Sequence, residues 1–283
     1  MIALSAYRSA ISLAPYPRPE LFATEAEMDA ACDALLKFLQ RERGVIAAYS
    51  QSFQRKRERL RAYMNERAPL PVPAEMLALQ DRLLYTETML REPLDPSAGK
   101  RAKHDIYLWE GDIRRLAVDA VVNAANGKLL GCFLAGHHCI DNVIHSAAGM
   151  QVRADCAKII ALQGEDEACG GAKVTSAYNL PSRYILHTVG PFVAREVTDE
   201  QRACLRSCYT ACLNLCEELG AESVAFCCVS TGVFNFPHAE AAELAAGAVV
   251  NWKLRHPQSR LRVIFNTFLP QDTAIYSNIL SML

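Results

Sequence analysis

Residues 131–145, GCFLAGHHCIDNVIH, place two cysteines and two adjacent histidines close together and then add Asp141. Cys132, His137 and Cys139 form a Cys-x4-His-x-Cys pattern of thiolate and imidazole donors, the types that hold Zn²⁺. A structural zinc closes its tetrahedron with a fourth protein ligand, commonly from a second Cys-x2-Cys or His-x3-His pair, and the neighbouring sequence offers none. The pattern therefore leaves one coordination position open, as metal catalysis requires. His138 rivals His137 as the third ligand, but its side chain should diverge from its neighbour's, and His137 is favoured. The chain holds 11 cysteines, so two small buried hydrophobes falling together by chance is the competing reading. Spacing alone leaves both open.

Cys204, Cys208, Cys212 and Cys216 recur every fourth residue in RACLRSCYTACLNLCEELG. At a rise of about 1.5 Å per residue their sulfurs would spread over about 18 Å of helix, too far to meet at one ion. The expectation is a stripe of small apolar side chains facing the core, with Cys227 and Cys228 on opposite faces of a strand.

Three further stretches carry binding chemistry. STGVFNFP (230–237) is a small-residue turn between an apolar run and a helical segment, a place where backbone N–H groups can face an anion. It lacks the P-loop lysine and the GxGxxG spacing, and an ordinary strand-to-helix turn remains open. GDI (111–113) sets Asp112 after a strand, where a carboxylate can accept hydrogen bonds from a base or a ribose; a turn or cap is the alternative. VVNAAN (121–126) ends an apolar run in asparagines whose amides both donate and accept, again with a turn as the alternative.

The elements that must position these residues change in texture near residue 100. TEAEMDAACDALLKFLQRERG opens with Thr24 and Glu27 in capping-box spacing and continues with apolar residues at helical intervals. Residues 20–92 read as a helical appendage, and REPLDPSAGKRAKHD (91–105) as a linker. Arg55, Lys56, Arg57, Arg59 and Arg61 read as a solvated helix face laced with Glu58. Beyond the linker, IYLW, AVVNA, YILHTV, SVAFCCV and RVIFNTF alternate with helical stretches, the pattern of an α/β domain. Their apolar residues are consecutive, so these strands should be buried on both faces, with ligands at the strand ends.

The formal net charge of -1 gives no basic field, so neither charge nor motif suggests nucleic acid. No run of about 18 apolar residues suggests a membrane span, and Arg8 and several prolines break the N-terminal stretch, so a cytoplasmic protein with reduced thiols is expected.

Taken in order, GDI, VVNAAN, GCFLAGHHCIDNVIH, AKVTSAYNLPSRYILHTVGP and STGVFNFP resemble a macrodomain across residues 105–283. The Cys-x4-His-x-Cys insertion resembles the zinc-dependent branch of that family. The resemblance implies a macrodomain of α/β class over 101–283, a three-layer α/β/α sandwich with a mixed sheet, preceded by a helical N-terminal extension over 1–100. It implies a protein ADP-ribosyl hydrolase that acts on ADP-ribosylated protein, releases ADP-ribose and uses one catalytic Zn²⁺ on Cys132, His137 and Cys139. Asp112 would bind the adenine amine and Ile113 would pack beside the base. Ser230, Thr231, Gly232, Val233 and Phe234 would wrap the diphosphate, with Phe236 near the distal ribose. Asn126 would hold that ribose, and Asp141 would act on the attacking water. A non-catalytic ADP-ribose reader and an O-acetyl-ADP-ribose deacetylase share the same pocket. One departure stands out: where the zinc-type loop tends to carry a proline, this chain reads Leu134, Ala135, Gly136.

Overall fold

Runs of consecutive apolar residues demand burial on both faces, and the chain meets that demand with a sheet between two helical layers. The computed structural model describes residues 1–13, 15–45, 52–95 and 99–283. Its seven-stranded sheet runs in the order β1-β2-β7-β6-β3-β5-β4. The central strands β2 (Ile106–Glu110), β3 (Ala120–Ala125), β5 (Tyr184–Val189), β6 (Ser223–Phe226) and β7 (Arg262–Thr267) are parallel. The edge strands β1 (Lys100–Arg101) and β4 (Ala172–Ser176) pair antiparallel with β2 and β5. Every residue of β5 and β6 is buried, as consecutive apolar runs require. Helices α5 (Ile140–Ala148) and α6 (Met150–Gln163) form one layer. Helices α7 (Asp199–Leu219), α8 (His238–Arg255) and α9 (Pro270–Ser281) form the other. This is the expected three-layer α/β/α sandwich with a mixed sheet. Because the central strands are parallel, their C-terminal ends share one edge, where the following loops can build a site.

The N-terminal region is helical as expected. Helix α1 (Leu4–Tyr7) inserts into the main core, where Leu4, Tyr7 and Ile11 are buried, and the Tyr7 hydroxyl accepts the Val174 N–H at 3.0 Å. Helix α2 (Glu25–Arg43) starts on the Thr24/Glu27 capping box. With α3 (Phe53–Glu66) and α4 (Ala74–Leu90) it encloses a second, smaller core around Leu35, Leu36, Leu39, Leu60 and Leu83, joined by Met150 of α6. Residues 96–98, in the middle of the expected linker, lie outside the described residues. On either side of them the chain is engaged: Leu94 bridges to Leu116, and β1 enters the sheet.

Three expectations are corrected. The basic run on α3 is a solvated face only in part: Arg55 and Glu58 are exposed, whereas α2 and α5 pack against the helix and its inward cations meet acceptors. Lys56 lies 2.9 Å from both Asp29 and Asp33, Arg57 pairs with Glu87, and Arg61 crosses to α5. The cysteine stripe on α7 is shorter than its spacing implied. Cys208, Cys212 and Cys216 are buried, whereas Cys204 forms a disulfide with Cys169. Each step of four residues overshoots a helical turn of about 3.6 residues, so a fourth cysteine rotates off the core line. Cys227 and Cys228 lie past the end of β6 and line a cleft together, so they do not alternate across a strand.

Candidate functional site

The loops that follow β2, β3, β5, β6 and β7 surround a cleft of about 820 Å³ at the C-terminal edge of the sheet. That volume suits a small-molecule ligand of dinucleotide size. Asp112, directly after β2, lines one end with Ile113. Its carboxylate accepts the Arg114 backbone N–H at 3.0 Å and pairs with the Arg114 guanidinium at 2.6 Å. Burial by itself would raise this carboxyl, but the bonds to Arg114 outweigh it and hold the group below its usual range.

The turn after β6 forms another wall. Ser230 and Asn235 sit at φ 67° and φ 56°, and the turn is closed by Asn235 N–H to Gly232 O and Phe236 N–H to Ser230 O, both 3.0 Å. Gly232, Val233 and Phe234 line the cleft, and among the described residues their backbone N–H groups meet no protein acceptor. Consecutive unpaired N–H groups ahead of the α8 N-terminus make an anion cradle without a lysine. A Cβ on Gly190, after β5, would fall 2.0 Å from the Ser230 hydroxyl, so only glycine lets the strand end approach this turn. Phe236 is 1% exposed and packs in the core. Its backbone closes the turn and its ring points inward, so the expected place beside a ribose is corrected; Phe234 stands in the cleft wall.

Cys132, His137 and Cys139 converge on the third wall, their ligand atoms all within 4.8 Å of one another. Cys132 Sγ lies 3.4 Å from His137 Nδ1. His138 also lines the cleft but is outside this cluster. Cys139 caps α5, its sulfur accepting the Asn142 N–H at 3.5 Å. Burial, and to a lesser degree the neighbouring Cys132 thiol, pushes the Cys139 thiol up to about 11. Gly131 opens the loop at φ +79°, and a Cβ there would meet the His145 ring at 3.0 Å. Two thiols and an imidazole, half-buried and within a few ångströms of each other, suit a soft divalent ion such as Zn²⁺.

Asp141 sits in the first turn of α5, also facing the cleft, and is 5% exposed. It accepts Asn123 Nδ2 at 2.8 Å and Asn126 Nδ2 at 3.4 Å. Burial raises its carboxyl to about 6, partly offset by the Asn123 bond. Asn126 also donates to Gly131 O at 3.1 Å, tying the end of β3 to the start of the loop that carries Cys132, His137 and Cys139.

The sequence reading missed what lies beneath Asp141. Asn123 is paired across the sheet with His187, and its amide reaches His187 Nδ1 at 3.2 Å, while His187 Nε2 lies 2.9 Å from the Thr175 hydroxyl. His145, Cys156 and His187 also cluster within 4.8 Å. With both nitrogens already bonded, His187 backs the Asn123 amide that Asp141 accepts, and His145 Nε2 lies 3.5 Å from the same carboxylate. Only the first asparagine of VVNAAN signalled it.

Burial depresses the His187 imidazole from 6.5 to about 3. The unfolded chain therefore binds a proton below pH 6.5 that the folded chain refuses until about pH 3, and stability falls as pH falls. Between about pH 7.5 and about pH 5, the loss of unfolding free energy should be about 2 kcal/mol smaller in His187→Gln than in wild type. Chemical denaturation at the two pH values measures it; equal losses would show that His187 is not buried and neutral.

The family model described as Macro domain matches residues 122–245. A Treponema medium protein named protein-ADP-ribose hydrolase is 45% identical over 229 residues, 78% of this chain and 86% of its own length. A Staphylococcus aureus (strain MSSA476) protein of the same name is 44% identical over 251 residues, 87% of this chain and 94% of its own. The crystal structure of a Trypanosoma brucei macrodomain in complex with ADP-ribose superposes with a TM-score of 0.59 at 28% identity, covering 78% of this chain and 94% of that one.

Proposed function

The chain belongs to the Macro domain family, and from that premise we propose that it is a zinc-dependent hydrolase that removes ADP-ribose from modified proteins. The reading rests on one juxtaposition: the Cys132–His137–Cys139 donor cluster and the Asp141 carboxylate line the same cleft as an anion cradle at Gly232–Phe234. A reader would need only the cradle and Asp112. The relatives' shared name and the ADP-ribose held by the trypanosome macrodomain support the substrate class.

In this reading Asp112 and Ile113 hold the adenine, and the N–H groups of Gly232, Val233 and Phe234 take the diphosphate. That arrangement accounts for binding two phosphate charges in a chain of net charge -1. Asn126 orients the distal ribose. Cys132, His137 and Cys139 hold Zn²⁺, two thiolates and a neutral imidazole balancing its charge. When bound, the ion supplies Lewis acidity at the distal ribose. Asp141 takes a proton from water as its oxygen bonds to the anomeric carbon and the bond to the protein side chain breaks. Asp141 can then pass that proton to the departing side chain, so atoms and charge balance. The Asn123 amide holds Asp141 in place throughout.

The test compares zinc-loaded with chelator-stripped protein on an ADP-ribosylated protein, with released ADP-ribose quantified by chromatography. Release only by the loaded form, carrying one zinc per chain, is expected. Tight binding without release would make the protein a reader. Equal release by the stripped form would remove the metal from the reaction.

A further inference from the structure

The loop that carries the proposed metal donors has little structure of its own. Between Gly131 and Cys139 its backbone makes a single internal turn bond, His137 N–H to Leu134 O at 3.2 Å. The Leu134-Ala135-Gly136 segment makes up that turn, with Gly136 at φ +65°. Its order comes from outside, largely from helix α3 of the N-terminal region. Arg61 Nη2 donates to the His137 carbonyl, the backbone of a proposed ligand, and to Asn142 Oδ1 at 2.9 Å. The Asn142 amide in turn donates to Leu134 O at 2.9 Å and Cys132 O at 3.4 Å. Asn65, 2% exposed, accepts the Gly136 N–H at 3.0 Å and donates to the Ser146 hydroxyl at 2.8 Å. Arg153 lies 4.3 Å over the Phe133 ring and donates to Met64 O on α3 at 3.1 Å. Loop positions 132, 133, 134, 136 and 137 are thus each held by α3 or by a side chain that α3 itself holds.

We propose that Arg61 and Asn65 are positioning residues for the metal site, so that the helical region sets how tightly the Cys132–Cys139 loop grips its ion. The inference rests on the zinc reading above. Ordering a free backbone segment costs conformational entropy, and a loop already ordered avoids that cost when the ion arrives. Arginine suits the task because its planar, permanently charged fork serves a carbonyl and an amide oxygen together, beside a loop that gains two thiolates on metal binding. Outer partners that orient metal ligands typically change affinity by about 10–100-fold when removed.

The experiment titrates Zn²⁺ against a competing chelator in wild type, Arg61→Ala, Asn65→Ala and Arg61→Lys, with Leu60→Val as a control that loosens the same helical core without touching the loop. Arg61→Ala and Asn65→Ala should surrender zinc about 10–100-fold more readily than wild type. Arg61→Lys, which keeps the charge and one donor, should fall between, and Leu60→Val should match wild type. Turnover of the two alanine variants should recover in excess zinc. Thermal melting of the metal-free proteins identifies any variant that has failed to fold, in which case Arg61→Lys decides. If the variants hold zinc as tightly as wild type, or Leu60→Val loses it equally, the inference is overturned while the metal reading stands. If wild type itself takes up no zinc, the metal reading falls and this inference falls with it.

Discussion

Cys132→Ala is expected to lower ADP-ribose release by about 10³-fold or more while affinity for free ADP-ribose stays within about threefold of wild type. The two quantities separate because different segments supply them. The cradle for the diphosphate follows β6, and Asp112 follows β2, whereas Cys132 belongs to the loop between β3 and α5. In the proposed metal-dependent reaction, losing one of three donors would forfeit several kcal/mol of charge stabilisation at the reacting ribose, about a factor of ten for each 1.4 kcal/mol. The loop path should survive, because Asn142 grips the Cys132 carbonyl and not its sulfur. Zinc content, calorimetric titration with ADP-ribose and turnover are measured on the same preparation. Wild-type turnover in a zinc-free Cys132→Ala protein would sink the metal-dependent mechanism.

Asp141→Asn should separate the base from the metal. Asp141 is not one of the three clustered donors, so zinc content should match wild type. The amide oxygen of the variant can still accept Asn123 Nδ2, so the side chain should stay in place. In the proposed reaction what disappears is the proton acceptor, and kcat should fall by about 10²–10⁴-fold with KM changed little. A variant that keeps its zinc and retains kcat within threefold would assign the proton to another group.

Much of the sandwich was legible in the chain because buried parallel strands advertise themselves as consecutive apolar residues. β5, β6 and β7 lie within the runs read as strands, and β2 and β3 extend IYLW and AVVNA by a single residue each. β4 was not separated out because its AKVTS sequence carries Lys173 and Thr175. The lysine is nonetheless buried, 2.6 Å from Glu167, a pairing across sequence that no local pattern reports. The same limit applies at the site. Cys132, His137, Cys139 and Asp141 share one short stretch, and the structure brings their side chains to one wall of the cleft. Arg61, Asn65 and Asn123 reach their partners there across 18 or more residues, and periodicity describes a helix face without saying what it faces. Phe236 failed for the opposite reason: its motif fixed the backbone turn but not the direction of the ring.

The helical region is secured to the sandwich at both of its chain ends. Leu4, Tyr7 and Ile11 enter the main core before α2, and β1 joins the sheet edge after α4. A segment anchored so cannot swing away as an arm on a single tether. Its grip on the Cys132–Cys139 loop acts at a high, fixed effective concentration, independent of how dilute the protein becomes. Supplying the same helices as a separate polypeptide would make that grip a bimolecular association, which dilution dissolves.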